Sequence, residues 1–165
     1  LASLMGAAVF ASAGSEDKLT FCRQMGAECL YNWRELNGFS QEVRQWGGAD
    51  LILDPVGGSY LAENIACMNT DGRLLLIGVM GGTVSSINLA QILIKRLTLR
   101  GSTLRNQPLA VKAGLAAALS TRVLPAMVAG QLSITVDAVF PLSQVCEAHK
   151  HMEGNRNLGK VVLSV

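Results

Sequence analysis

Charge is scarce in this sequence. Asp, Glu, Lys and Arg make up 16% of its 165 residues, and 14 basic against 12 acidic side chains leave a net charge of +2. That balance excludes a basic stripe for a nucleic acid. Disorder is excluded as well, because half the residues are hydrophobic and mean hydropathy is +0.34. Cysteines are few: Cys22, Cys29, Cys67 and Cys146 stand 7, 38 and 79 positions apart. These gaps form neither a disulfide framework nor a CxxC metal pair, and they read as reduced thiols of a cytoplasmic protein. HExxH and GxSxG do not occur. GxGxxG is absent too, so nothing here cradles a pyrophosphate at a helix N-terminus. The two histidines, His149 and His151, lie two apart on different faces of an expected helix. They cannot share a metal there, and both are expected to be solvated.

Residues 74–94 form an uncharged stretch of bilayer length. Gly78, Gly81, Gly82, Ser85, Ser86, Asn88 and Gln91 make its centre polar and turn-like, so no membrane span is expected. The apolar opening LASLMGAAVFASAG has no basic leading region and runs into a helix, which argues against a signal peptide.

What is present is organised around ADLILDPVGG (49–58) and GRLLLIGVMGG (72–82). Each is an apolar run without alternation that ends in small or glycine residues, the pattern of a parallel strand buried on both faces. Between them, residues 59–68 place Leu61, Ile65 and Met68 on one helical stripe. Strand, glycine turn, helix and strand make a βαβ unit, with a ligand cleft beyond the carboxyl ends of the strands. Upstream, residues 1–5 read as the last turn of a helix closed by Gly6, which implies preceding sequence. A strand over 7–12 comes next, then a helix over 16–25 with Ser15 as N-cap and Leu19, Cys22 and Met25 inward. A strand over 29–31, a loop over 32–38 and a helix over 40–46 complete the first part.

Downstream, the pattern predicts a helix over 89–95 and a half-exposed edge strand over 96–103, where Leu97 and Leu99 alternate with Thr98 and Arg100. A helix over 109–119 is interrupted or restarted by Pro125 and ends near Gly130. A strand over 136–140, a helix over 143–152 with Val145, Ala148 and Met152 inward, and a strand over 160–165 close the chain. Alternation of this kind predicts an α/β fold, a doubly wound parallel sheet.

Candidate chemistry sits at the strand ends. The first strand ends in Ala13-Gly14-Ser15 with Lys18 one turn on, and no carboxylate stands where an adenine ribose 2′-hydroxyl would need one. This fits either a 2′-phosphate or an ordinary capped helix. The glycine pairs 57–58 and 81–82 fit either close ligand approach or plain turns. Asp54 can orient a turn or a ribose, and a turn is the expectation.

These residues resemble a family pattern. The string TAGSxxKL…LGA, then INYRxE, VDVVLDxVGG, DGRLVxIGxxGG, KRLTLxGSTLR and VFPLxxxxEAHxxMExxxxxGKIVLxV mark the zinc-free NADPH:quinone oxidoreductases, zeta-crystallin relatives of the medium-chain dehydrogenase/reductase superfamily. Here they read ASAGSEDKLTFCRQMGAE, LYNWRE, ADLILDPVGG, DGRLLLIGVMGG, KRLTLRGSTLR and VFPLSQVCEAHKHMEGNRNLGKVVLSV.

The match runs through almost the whole chain and is similar to the carboxyl half of such an enzyme. It implies a Rossmann-like sheet lacking its first strand and glycine loop, with residues 1–131 as a partial dinucleotide-binding domain. Residues 132–165 would then return to a catalytic domain. It further implies NADPH as cofactor, with Gly14, Ser15 and Lys18 at the 2′-phosphate. The family's tyrosine falls on Trp33, which offers no hydroxyl, so Tyr31 or Arg34 would have to compensate. Val56, Val79, Met80 and Gly81 would approach the ribose and nicotinamide, with Ser102, Thr103 and Leu104 beside the nicotinamide and Asn157 reaching the cofactor from the returning segment. The implied activity is hydride transfer to a quinone or activated enone, without metal, in a homodimer joined through the edge strand 96–103. The 165-residue chain alone would be inactive. Enoyl or alkenal double-bond reduction, or a non-catalytic nucleotide-binding or structural role, are the alternatives.

Overall fold

The computed structural model describes residues 1–34 and 38–165, so part of the expected 32–38 loop lies outside the described residues. Strands and helices alternate as β1 (Phe10–Ala13), α1 (Glu16–Gln24), β2 (Cys29–Asn32), α2 (Ser40–Trp46), β3 (Ala49–Asp54), α3 (Leu61–Cys67), β4 (Met68–Leu76), α4 (Leu89–Lys95) and β5 (Thr98–Gly101). They continue as α5 (Leu109–Ala118), α6 (Leu124–Val128), β6 (Val136–Pro141), α7 (Val145–Glu153) and β7 (Lys160–Ser164). The expected opening helical turn is a short 3-10 helix, Ser3–Met5, closed by Gly6 at φ 82°.

The chain divides into two units, Ala8–Lys112 and Leu1–Ala7 with Ala113–Val165. The amides of Gln131 and Leu132 donate to the Ala126 carbonyl, tying α6 to the segment that leads into β6.

In the first unit every strand pairing is parallel: β1 with β2, and β3 with β4 with β5. These are the pairings of a 3-2-1-4-5-6 Rossmann sheet in which this chain does not supply the strand between β1 and β3. One core serves both sheets. Tyr31, Phe39, Val43 and Cys67 are buried together, with Phe10, Ala49, Ile52 and Tyr60 packed around them. Tilted ring pairs hold it, Phe39–Tyr60 at 5.0 Å and Phe10–Trp46 at 5.7 Å between centroids.

Three expectations about packing need correction. Burial of β3 on both faces does not hold: Ile52 turns to the core, while Leu51 and Leu53 are 64% and 62% exposed. Strand side chains alternate, and the face carrying these two leucines is left uncovered. Met68 does not end a helix but begins β4. Lys95 Nζ explains the break, donating to the carbonyls of Ile65, Ala66 and Met68 at 3.1, 3.0 and 2.9 Å and so satisfying groups that a continuing helix would have used. Met25 and Met152, expected inward, are exposed, because α1 and α7 bury only Leu19 and Ala148 respectively.

The second unit pairs β6 in parallel with β7. The long helical stretch that starts with α5 is broken by a π turn, Leu119–Val123, just before Pro125. Proline has no N–H to give the Thr121 carbonyl, and the widened turn absorbs the loss. The stretch Leu109–Val128 is long and apolar enough to cross a membrane by length and composition alone. Residues 74–94, in contrast, divide into the end of β4, a loop and α4.

Candidate dinucleotide site

The carboxyl ends of β3 and β4 are tied together by backbone. Gly81 N–H donates to Val56 O at 2.7 Å, Met80 N–H to Pro55 O at 3.2 Å, Gly58 N–H to Gly82 O at 2.9 Å and Ser59 N–H to Gly81 O at 3.2 Å. Glycine is required by this closeness. A Cβ on Gly58 would lie 2.6 Å from Val84 O, and Gly57 adopts φ +76°. Asp54, 2% exposed, organises the turn: its carboxylate accepts from Val56 N–H (2.7 Å), Gly57 N–H (3.1 Å) and Asn64 Nδ2 (2.9 Å). Its oxygens face the protein, as the turn reading expects.

From this platform Val79 and Met80 project outward, 47% and 79% exposed. The Ser102 amide donates to Leu76 O at 2.9 Å, which brings Ser102, Thr103 and the exposed Leu104 to the same strand ends.

At the ends of β1 and β2 a second cluster forms. Ser15 caps α1, its Oγ accepting from Lys18 N–H at 3.4 Å. Trp33 lies against Gly14 so closely that a Cβ there would be 3.0 Å from three indole atoms. The sequence singles out both residues; their contact is not legible in it. Trp33 also lines a cavity of about 360 Å³ with Tyr31, Gly38, Phe39, Ser59, Tyr60 and Glu63. Burial pushes the phenols of Tyr31 and Tyr60 up from their ordinary values, with smaller contributions from Glu42 and Glu63 at Tyr31 and from Tyr31 and Asp54 at Tyr60. Sequence reasoning missed Tyr60 and Glu63, although their place just after the 57–58 glycine pair is a usable signal.

Among the described residues no group of three or more His, Cys, Asp or Glu could hold a metal ion. Burial raises the Cys67 thiol to about 11, which makes it a core group and not a nucleophile. Asn157 belongs to the second unit, its Nδ2 donating to Gly159 O at 3.0 Å. His151 departs from expectation: half-buried, its Nε2 lies 2.7 Å from Asp137 Oδ2, while Asp137 Oδ1 accepts Leu158 N–H at 2.8 Å.

Parallel strands, glycine-lined turns and an open carboxyl edge define an α/β nucleotide-binding fold. The zinc-binding dehydrogenase family profile matches residues 1–120, and the chain belongs to that family. It is 28% identical to the quinone oxidoreductase-like protein 2 of Bos taurus, over 99% of this chain and 47% of the relative. Among solved structures, an NAD-dependent alcohol dehydrogenase superposes with a TM-score of 0.84 at 32% identity, covering 99% of this chain and 46% of the other. The quinone oxidoreductase of Thermus thermophilus, solved also with NADPH, gives a TM-score of 0.84 at 27% identity, covering 99% and 52%. The chain spans about half the length of the relatives it matches. Its similarity to quinone oxidoreductases along that span agrees with the resemblance to the carboxyl half of a zinc-free medium-chain enzyme.

Proposed function

We propose that this chain is the nucleotide-binding half of an NADPH-dependent oxidoreductase that reduces a quinone or an activated enone. The observation that carries the reading is the end of β1. It presents Ala13-Gly14-Ser15, with no carboxylate for a ribose 2′-hydroxyl, and it lies under Trp33 beside the cavity.

The residues fit a dinucleotide. Gly57, Gly58 and Gly81 let the turns after β3 and β4 pack against each other, Gly14 lets the Trp33 indole approach the end of β1, and Trp33 and Tyr60 give the cavity aromatic walls. In this reading Gly14, Ser15 and Lys18 hold the 2′-phosphate, and Val56 with Val79, Met80 and Gly81 flank the ribose and nicotinamide. Ser102, Thr103 and Leu104 close the nicotinamide end, and the segment 132–165, which carries Asn157, joins the catalytic half. NADPH supplies the hydride; the protein orients it and keeps water away. Substrate choice rests with residues outside this chain. β5, the last strand in its sheet, is the edge through which two copies would pair.

The test is titration of the full-length protein with NADPH and NADH, followed by Trp33 and Trp46 fluorescence, together with NADPH oxidation at 340 nm in the presence of a benzoquinone or an alkenal. Binding with turnover of either acceptor is expected. A folded full-length protein that binds neither nucleotide overturns the reading.

A further inference from the structure

We infer that His151 is a proton-operated latch on the turn between α7 and β7, tight when the imidazole is charged and slack when it is neutral. The latch is built within the second unit and stands whether or not the first unit binds a nucleotide. Strand β6 pairs Val136 with Lys160 and Ala138 with Val161, which leaves Asp137 as the extra residue of a bulge. A bulged residue drops out of the ladder and can aim its side chain elsewhere. Asp137 reaches two elements at once: Oδ1 accepts the Leu158 N–H at 2.8 Å, and Oδ2 lies 2.7 Å from His151 Nε2. The side chains of His151 and Asp137 are 32% and 19% exposed, so the contact is partly shielded from water.

The turn has its ends pinned by backbone, Gly154 N–H to Lys150 O and Lys160 N–H to Thr135 O, both at 2.9 Å. Between them the backbone is unusual, with φ of 51° at Asn155 and 130° at Gly159. The Leu158 amide ties this stretch to β6 through the Asp137 side chain, and His151 is the second arm on the same carboxylate. The imidazole is steadied by Phe140, also of β6, at 5.8 Å between ring centroids. It lies in the last turn of α7, where a helix end favours positive charge. Of the elements packed on α7, β6 brings Asp137, β7 brings Lys160 and the 3-10 turn Leu142–Gln144 brings no charge. On α7 itself Glu147 and Lys150 pair with each other at 2.8 Å, and Cys146, His149 and Glu153 complete its titratable groups, with Arg156 in the turn beyond. Asp137 is thus the acid in contact with the ring, and it stays ionised throughout the pH range in which histidine changes charge. Protonated, His151 gives Asp137 an ion pair as well as a hydrogen bond; neutral, it gives one hydrogen bond, and only in the tautomer with hydrogen on Nε2. The added hold is present near pH 5 and is lost as pH rises toward 8.

The experiment is hydrogen exchange at the Leu158 amide of the full-length protein near pH 5 and near pH 8, with each rate corrected for its intrinsic pH dependence. Val162, in the ladder between β6 and β7, reports opening of the whole unit. In wild type, protection of Leu158 relative to Val162 should be about 2- to 5-fold greater at the lower pH, the range for a partly exposed ion pair. His151→Gln keeps a donor without a titrating charge, and Asp137→Asn keeps an acceptor for Leu158 without the carboxylate. Each should remove the pH response. His149→Gln, two residues away on the same helix, should keep it. A wild-type protein with the same relative protection at both pH values overturns the latch. So does a response that survives His151→Gln or Asp137→Asn, or one that disappears in His149→Gln.

Discussion

Asp54 and His151 mark the limits of reading single residues. An acid at the end of an apolar strand and three residues before a glycine pair is a recognisable turn-former, so the role of Asp54 is open to sequence reasoning. The third partner, Asn64, lies ten residues on, and only the fold brings it within 2.9 Å. Replacing Asp54 by Ala strands two turn amides and a buried carboxamide, which should cost about 3 kcal/mol. Urea unfolding of wild type and variant measures it, and a loss below about 1 kcal/mol would mean that water replaces the carboxylate. His151 reads as solvated because its helical neighbours are polar. Its acceptor sits fourteen residues away on β6, beyond the reach of local pattern.

At the level of elements, the periodicity gives most helices and strands their places but not their neighbours. α2 and α4 have the expected bounds. Elsewhere the ends shift where a distant side chain intervenes, as Lys95 does at the close of α3. The α7–β7 turn is another such place, since Asp137 of β6 clasps Leu158 N–H and His151 together. The Leu158 amide first, and His151 second, hold the Asp137 carboxyl below its ordinary value of 3.8. A depressed carboxylate stabilises the folded state above that ordinary value, and the contribution is lost as pH falls through the lower folded value. The hold of Asp137 on the Leu158 amide is therefore expected to be lost only below about 4. The amide resonance of Leu158, followed by NMR from pH 7 to 2, should show an acid step with its midpoint below 3.8. In Asp137→Asn that acid step should vanish; its persistence would assign it to another group.

On the scale of the whole molecule, the α/β alternation and the resemblance together make the sheet legible, including the vacant position between β1 and β3. What they do not give is the consequence for β3. An all-apolar strand implies cover on both faces only when every layer of the sheet belongs to the chain being read, and here Leu51 and Leu53 stand in the open. Their exposure leads to opposite expectations in two contexts. In the 165-residue chain, Leu51→Lys with Leu53→Lys should change stability by no more than about 0.5 kcal/mol per site, as at other exposed positions, while reducing concentration-dependent association through the bare strand. In a protein of the relatives' full length, where further elements cover that face, the same pair should cost several kcal/mol, since two buried ammonium groups would lack partners. Urea midpoints and sedimentation velocity on both forms decide it. Equal, small effects in both would mean that β3 stays open in the full-length protein, and the Rossmann sheet is completed some other way.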